Sequence, residues 1–329
     1  MSTIHVENLS KTFKLKKSGK GLSGAIKSFF SPEWKDVHAL QGISFDIEKG
    51  ERVAFIGPNG AGKSTTIKLL SGILNPSAGQ VSVNGYVPWQ EREKLSYEIG
   101  TVFGQRSQLW YHLPAQDTFD LLACAYEIKP DVYRARLKHL VETFEIGPLL
   151  EKPVRQLSLG QRMRCEIVAS FLHAPSTLFL DEPTVGLDVS AKAMIRDLVY
   201  DSSKQNGTTV LLTSHDTGDI EKVCDRVIII DEGQIIIDHS IDKLRSDYIR
   251  QKIVTFQTKE EEIQISLKGV TEIEKKPHKS SFSIDVSKQS VEALIQHAMD
   301  QSSLRDITVE DPPMEEIIKT IYKDHKVSA

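Results

Sequence analysis

The sequence predicts an α/β domain followed by a smaller α+β domain, and three observations lead to this prediction. Short runs rich in β-branched residues alternate with longer segments of helical periodicity over residues 1–240. The runs around Phe179 and Leu211 are almost continuously apolar, which is typical of parallel strands covered by helices on both faces. Beyond residue 240 the segments become charged and alternating, so residues 241–329 are assigned to the second domain.

Each predicted element follows from its local pattern. In the first domain, strands are expected at residues 52–56, 99–103, 177–180, 209–212 and 226–230. In the second, strands are expected at 252–258, 262–267 and 281–286, and helices at 291–299 and 313–322. The carboxylates of the second domain are scattered and its histidines isolated, so we interpret this domain as accessory or regulatory.

Composition narrows the class of protein. No run approaches the roughly 20 apolar residues of a membrane-spanning helix, and the first residues lack a signal peptide's apolar run, so a cytoplasmic chain is expected. A net charge of -4 gives no reason to expect a nucleic-acid partner. Cys124, Cys165 and Cys224 lie far apart without a CxxC pair, which favours buried, reduced thiols over disulfides or a zinc site.

A glycine-rich segment directly follows the predicted strand at 52–56 and precedes a helical run that ends near residue 72. It consists of Gly57, Pro58, Asn59, Gly60, Ala61, Gly62, Lys63, Ser64 and Thr65. This is the pattern GxxxxGK followed by Ser or Thr, in which backbone N–H groups surround phosphate oxygens. Lys63 would neutralise the β- and γ-phosphates, and Ser64 would bind Mg²⁺. A glycine-rich turn with no ligand is the alternative, but it leaves Lys63 and Ser64 unexplained.

Two adjacent carboxylates end the predicted strand at 177–180. Asp181 is expected to hold Mg²⁺ through water, and Glu182 to orient the attacking water, which together indicate hydrolysis of a triphosphate. The alternative is that the acidic residues cap the strand or the helix that follows. A GTPase is not expected, because the chain has no NKxD segment.

The segment QLSLGQRMR at residues 156–164, called here the signature segment, resembles the signature motif of ABC ATPases. The resemblance extends over residues 1 to about 240 and implies a P-loop NTPase domain with a mixed sheet and a helical subdomain at about 106–170. It also implies that Ser158, Gly160 and Gln161 bind the γ-phosphate held by an opposite subunit. The sequence departs from the most frequent pattern at Leu159, where glycine is usual.

Four more residues match the family's pattern in the right chain order. The resemblance assigns Gln105 to the Q-loop, as a contact of Mg²⁺ and the attacking water, and Asp188 to the D-loop at the dimer contact. It makes His215 the histidine that hydrogen-bonds the γ-phosphate. Phe13 matches the aromatic residue that stacks on adenine, although a core phenylalanine is the alternative. Each match is weak alone, and the assignment depends on the ordered set.

Taken together, the resemblance implies an ATP-hydrolysing transporter subunit with ATP and Mg²⁺ as cofactors and with Lys63, Glu182 and His215 as catalytic residues. It would form a homodimer or heterodimer and act with separate membrane permease subunits at the cytoplasmic face of the membrane. Residues 102–122, the signature segment and the carboxy-terminal extension resemble ABC-2-type exporters of drugs and polysaccharides, so export is expected. The alternative is a non-transport ABC ATPase of translation or DNA maintenance. A single nucleotide domain without a long coiled-coil insertion disfavours it.

Two segments are candidate contact surfaces. Residues 109–114, with Trp110 and Tyr111, resemble the surface on which membrane subunits dock, unless these two aromatics are buried in the helical subdomain. Residues 11–35 carry seven lysines against one acidic residue, and the insertion at about 14–37 is expected to contain an amphipathic helix. That helix would contact a membrane surface, or alternatively pack on its own sheet. Its apolar residues are Leu22, Ile26, Phe29 and Phe30.

Overall fold

The computed structural model describes residues 2–16, 34–104, 107–248 and 251–328. The chain divides into two compact units, Met1–His239 and Ser240–Ala329. The strands of the first unit are β1 (Ser2–Lys16), β2 (Trp34–Glu48), β3 (Arg52–Ile56), β4 (Ala78–Val83), β5 (Ile99–Phe103), β6 (Thr177–Asp181), β7 (Thr209–Thr213), β8 (Arg226–Asp231) and β9 (Gln234–Ser240).

The largest sheet of the first unit has six strands in the order β5-β6-β7-β3-β8-β9. The pairs β5-β6, β6-β7, β7-β3 and β3-β8 are parallel, so the carboxyl ends of β3, β6 and β7 lie at one edge. Buried runs such as Leu178 to Leu180 form the core of this sheet. The predicted strands are confirmed: β3 and β5 match the expected ranges, and β6, β7 and β8 each extend one residue further.

A second sheet of three antiparallel strands has the order β2-β1-β4 and was not predicted from the sequence. Alternate residues of β2, including Ile43, Phe45 and Ile47, are buried, as expected for a strand with one face on the core. These side chains join a core cluster that also contains Phe55 of β3 and Leu69.

The helices of the first unit are α1 (Lys63–Leu70), α2 (Arg92–Glu98), α3 (Ala115–Ala125), α4 (Pro130–Thr143), α5 (Leu159–Phe171), α6 (Val189–Asn206) and α7 (Thr217–Val223). α3 and α4 both pack against α5. In the part of the chain that the structure describes, no helix combines the length and the apolar character needed to cross a membrane.

The second unit has one antiparallel sheet. Its elements are α8 (Ile241–Tyr248), β10 (Gln251–Thr258), β11 (Val270–Lys276), β12 (Lys279–Asp285), α9 (Val291–Gln301), β13 (Leu304–Glu310) and α10 (Met314–Ser328). The strand order is β11-β12-β10-β13. Phe256, Phe282 and Ile284 pack with Leu294 and Ala298 of α9 in a small core.

Two expectations were wrong, that of a strand at 262–267 and that of a buried Cys124, and the helix expected in the insertion stays a prediction. The segment 262–267, predicted as a strand, has no regular secondary structure and lies outside the sheet. Ile263 is buried in the small core, so the alternation reflects burial without strand pairing. At the ends of the insertion expected at 14–37, Lys14–Lys16 pair with Trp34–Asp36 as strand, and residues 17–33 with the proposed helix lie outside the described residues. Cys124 is exposed, whereas Cys165 and Cys224 are buried.

Candidate functional site

A cavity of about 600 Å³ opens at the edge where β3, β6 and β7 end. It is lined by Asn59, Gly60, Gly62, Lys63, Ser64, Thr65, Lys68, Ile73, Phe103, Gly104, Asp181, Glu182, Val185 and His215. The structure therefore brings most of the predicted phosphate loop together with both predicted carboxylates and the predicted histidine. This size suits a small-molecule ligand.

The phosphate loop between β3 and α1 closes around the Lys63 side chain. Lys63 Nζ donates hydrogen bonds to the carbonyl oxygens of Gly57, at 2.7 Å, and Pro58, at 3.2 Å. Gly62 has φ +113°, and a Cβ there would lie 2.7 Å from the Ala39 carbonyl oxygen, so the turn requires glycine. Ala61 N also donates to Pro58 O, which tightens the loop.

The Lys63 ammonium is the buried positive charge of the cavity. Burial lowers the pKa of Lys63 because the charged form loses its hydration, while Glu182 and Asp181 act in the opposite direction. An anion with several negative oxygens would compensate this desolvation more fully than the two carboxylates do. The electrostatics of the loop therefore favour a phosphate ligand.

The two carboxylates lie at the end of β6, where Asp181 is the last residue of the strand and Glu182 the next, and they face different partners. Asp181 Oδ1 accepts a 2.7 Å hydrogen bond from Thr213 Oγ1 on β7. Glu182 has φ 54°, a left-handed conformation that is uncommon for a residue other than glycine, and its N–H donates to Thr213 O at 3.1 Å. Its Oε1 lies 2.9 Å from His215 Nε2. The backbone thus holds Glu182 turned toward His215 and the cavity.

A buried polar network lies behind His215, and sequence reasoning missed it. Asp219 of α7 is 1% exposed and accepts hydrogen bonds from Thr184 Oγ1, Ser214 Oγ and Arg196 Nε, the last two at 2.6 Å. The network joins the loop after Glu182, the residue before His215, and α6. The sequence shows that these residues are polar, but it does not show that they pair with Asp219. Ser214, Arg196 and Thr184 lie 5, 23 and 35 positions from Asp219, so no local pattern indicates the contacts.

Sequence reasoning also missed part of the cavity wall, formed by Lys68, Ile73, Phe103, Gly104 and Val185. Lys68 follows Lys63 on α1, and Phe103 ends β5. Their positions in the chain close to recognised motif residues were the sequence signal that could have identified them as cavity residues.

The signature segment begins α5 with a reciprocal cap. Ser158 Oγ accepts from Gln161 N at 3.3 Å, and Gln161 Oε1 accepts from Ser158 N at 3.0 Å, which is a capping box. Leu159 is 43% exposed, and a Cβ on Gly186 would lie 2.5 Å from its Cδ2. The residue that departs from the usual signature pattern therefore packs directly over Gly186.

Four predicted contact residues lie apart from the cavity. Asp188 caps α6, with Oδ1 accepting from Ala191 N at 2.8 Å. Neither this residue nor Ser158, Gly160 and Gln161 is among the described residues that line the cavity of their own chain. This arrangement is compatible with the expectation that they act on a second subunit.

The remaining predicted site residues have different outcomes. Gln105 lies outside the described residues. Phe13 is half-buried on β1, pairs in register with Val37 and carries Lys11 Nζ at 5.2 Å from its ring centroid; it does not line the described cavity. Trp110 and Tyr111 are 48% and 56% exposed, so the alternative that they are buried is wrong.

Comparisons with known proteins point to one family. The family model described as ABC transporter matches residues 40–185. The chain is 32% identical over 203 residues to the energy-coupling factor transporter ATP-binding protein EcfA3 of Clostridium perfringens, covering 61% of this chain and 71% of that protein. It is 35% identical over 212 residues to the daunorubicin resistance ATP-binding protein DrrA3 of Streptomyces coeruleorubidus, covering 64% of this chain and 66% of that protein, just under two thirds of its length.

A solved structure of an ATP-binding subunit of an ABC transporter has the same fold. It superposes with a TM-score of 0.63 at 27% sequence identity, covering 75% of this chain and 93% of the other. The expected fold class, a P-loop NTPase with a mixed sheet and a helical subdomain, is therefore confirmed.

Proposed function

The chain belongs to the family of ABC transporter ATP-binding proteins, and from this premise we propose that it binds ATP in the cavity at Lys63 and hydrolyses it to drive transport. The observation that carries the proposal is the position of Lys63, Asp181, Glu182 and His215 around one cavity. Lys63 begins α1, Asp181 ends β6, and Glu182 and His215 lie in the loops after β6 and β7, so their meeting depends on the fold.

In this proposal the phosphate loop binds the triphosphate. Backbone N–H groups of residues 57 and 59–65, including those at the amino end of α1, would surround the β- and γ-phosphates, with Lys63 supplying the positive charge. Ser64 and Asp181 line the cavity with a hydroxyl and a carboxylate, and such oxygen donors fit Mg²⁺. Bound there, Mg²⁺ would neutralise charge on the phosphate oxygens.

Hydrolysis in this proposal depends on Glu182 and His215. Glu182 would orient the attacking water and accept its proton, and its contact with His215 holds the carboxylate at the cavity. His215 would donate a hydrogen bond to the γ-phosphate. The Asp219 network holds Ser214, the residue before His215, through a 2.6 Å hydrogen bond from Ser214 Oγ.

The site is completed, we propose, by a second subunit. Ser158, Gly160 and Gln161 lie at the amino end of α5 and away from the cavity of their own chain, and they would bind the γ-phosphate held by the partner. Asp188 would contact the partner at the same interface. ATP would therefore hold two chains together, and hydrolysis would let them separate.

The dimer would act on membrane permease subunits at the cytoplasmic face of the membrane, and the transport direction would be export. DrrA3 is a resistance protein by name, and the sequence of residues 102–122 led to the same expectation of export.

The exposed aromatics Trp110 and Tyr111 would form the permease contact. Changing both to alanine should reduce transport by vesicles carrying the intact transporter but preserve basal ATP hydrolysis. Met299→Ala, at an exposed apolar residue of the second unit, is the control.

A membrane-surface contact by residues 14–37 stays a proposal that rests on the lysine excess of the sequence and on exposed Leu15 and Trp34. Co-sedimentation with anionic vesicles, with and without residues 16–36, tests it. Equal binding by both chains would refute the contact.

The test of the proposed function is ATP hydrolysis by the purified chain as a function of protein concentration. A composite site predicts a rise steeper than linear, abolished by Ser158→Arg and slowed about 10²–10⁴-fold by Glu182→Gln. Glu151→Gln, which changes an exposed carboxylate away from the cavity, is the matched control. A linear rate that Ser158→Arg does not alter would contradict the two-subunit site.

A further inference from the structure

Residues 107–113, called here the docking segment, carry the exposed side chains of Trp110 and Tyr111. This segment is hydrogen-bonded at its start to a residue inside α5 and at its end to the turn that precedes the signature segment's serine. These two sets of bonds fix different parts of the segment.

The start of the docking segment is held by Glu166, two turns into α5. Ser107 Oγ donates to Glu166 Oε1, and Gln108 N donates to Glu166 Oε2 at 3.1 Å. The Gln108 side chain returns to the helix, with Nε2 donating to Glu166 O at 3.1 Å. Both carboxylate oxygens and the backbone carbonyl of one residue are thus bonded to two consecutive residues.

The end of the segment is held by residues just before Ser158. Arg155 N donates to Tyr111 O at 2.9 Å, and Val154 N donates to Leu113 O at 3.0 Å. Residues Val154–Gln156 form a short 3₁₀ turn that leads directly to the cap of α5. The docking segment is therefore bonded on both sides of the signature segment, to Val154 and Arg155 before it and to Glu166 after it.

Glu166 is 5% exposed, so its carboxylate is largely removed from water. Burial raises the pKa of Glu166, while the hydrogen bonds from Ser107 and Gln108 and the charge of Arg162 act against that rise. A buried carboxylate whose donors are removed retains its desolvation penalty, so the group strongly favours conformations in which Ser107 and Gln108 stay bonded.

We propose that Glu166 is a positioning residue that clamps the docking segment to α5, so that displacement of Trp110 and Tyr111 by a membrane partner moves Ser158 and Gly160 with it. This inference rests on the proposed function, because it takes the signature segment to act on ATP in the partner subunit. The clamp is distinct from the cavity, since Glu166, Ser107 and Gln108 are not among the described residues that line it.

Weakening the clamp should therefore impair ATP-dependent dimerisation without impairing ATP binding by the single chain. Glu166→Gln keeps the size of the side chain but removes its charge and leaves one acceptor oxygen, so the side chain can no longer accept the hydrogen bonds of both Ser107 and Gln108 at separate oxygens. ATP binding to the Lys63 site of one chain should be unchanged. ATP-dependent dimerisation should weaken at least about tenfold, because a lost hydrogen bond to a charged group has that size and each dimer contains two clamps.

The experiment uses the full chain in a Glu182→Gln background, so that hydrolysis does not dissolve the dimer. Dimer dissociation constants with ATP and Mg²⁺ are measured by analytical ultracentrifugation, and single-chain binding is measured with a fluorescent ATP analogue. Ser107→Ala and the Ser107→Ala, Glu166→Gln double variant complete a cycle, and the double variant should be little worse than either single change. Ser170→Ala is the matched control, because its buried hydroxyl on α5 bonds Ile167 O, at 2.8 Å, within the helix.

The outcomes are distinguishable. If the Glu182→Gln parent does not dimerise with ATP, the proposed function fails. If the parent dimerises and Glu166→Gln dimerises equally well, only the clamp is refuted. Equal weakening by Glu166→Gln and Ser170→Ala, or loss of nucleotide binding together with a lower Tm, would show a merely structural role and would also overturn the inference. Selective weakening with unchanged nucleotide affinity supports it.

Discussion

Acidification should destabilise the first unit through His173, which follows α5. Its Nε2 bonds Ile99 O at 3.0 Å, its ring stacks on Tyr126 with centroids 4.1 Å apart, and its buried Nδ1 has no hydrogen-bond partner among the described residues. Burial lowers the pKa of His173 from 6.5 to about 4, and the positive charge of Arg136 acts in the same direction. The histidine is therefore neutral in the folded chain at pH 5, when the unfolded chain has already bound a proton.

The direction and size follow from this difference in proton binding. The contribution of neutral His173 to the free energy of unfolding is fully present above pH 6.5. It is lost as the pH falls toward 4, because only the unfolded state gains a proton in that window. Between pH 7.5 and pH 5, protonation of His173 in the unfolded chain lowers the free energy of unfolding by about 2 kcal/mol. The full difference between the two pKa values corresponds to about 3 kcal/mol.

The assay is urea unfolding at pH 7.5, 6 and 5, followed by tryptophan emission, which reports the first unit because Trp34, Trp89 and Trp110 all lie there. His173→Phe, which keeps a ring against Tyr126 but cannot titrate, is the control. On acidification from pH 7.5 to pH 5, the free energy of unfolding of the parent should fall by about 2 kcal/mol more than that of this variant. Parallel pH profiles, within about 0.5 kcal/mol of each other, would refute the reasoning.

Three further predictions concern the site. Lys63→Ala should weaken ATP binding at least about tenfold, measured with a fluorescent analogue, because a buried charged donor is lost; unchanged affinity would contradict a phosphate-binding role. Gly186→Ala should lower the free energy of unfolding by more than about 1 kcal/mol, since its φ is +73° and its Cβ would meet Leu159. Adding Leu159→Gly should recover part of that loss in a double-mutant cycle, and strict additivity would exclude the contact. Removing Mg²⁺ with EDTA should abolish hydrolysis until Mg²⁺ is restored, and persisting activity would argue against the assignment of Ser64 and Asp181.

Features with a local cause were predictable from the sequence. The strand at 52–56 and the loop that follows it are determined by apolar β-branched residues and by glycines with a fixed spacing. The same holds for β6 and the carboxylates that end it. Because parallel strands end at one edge, the meeting of the phosphate loop with Asp181 and Glu182 followed from the fold class.

Features with a distant cause were not predictable. β13 joins its sheet by pairing with β10, about fifty residues earlier in the chain, whereas 262–267 has a similar alternation and joins no strand. Local pattern does not distinguish these cases, because burial against α9 and pairing at a sheet edge both select alternate apolar residues. The contact of Leu159 with Gly186 is of the same kind, since nothing near Leu159 indicates the glycine that accommodates it.

The buried carboxylate of Glu166 is better explained by the geometry that it imposes on the docking segment than by a contribution to folding stability. A buried ionisable group contributes little net stability compared with a well-packed apolar residue, because desolvation offsets its hydrogen bonds. What the carboxylate supplies is geometry: its two oxygens fix the Ser107 hydroxyl and the Gln108 N–H, while Tyr111 O and Leu113 O are fixed by the turn before Ser158. Apolar packing would let the segment slide on α5, whereas these bonds allow one register. A segment held in one register can transmit a displacement to Ser158, and a sliding segment cannot.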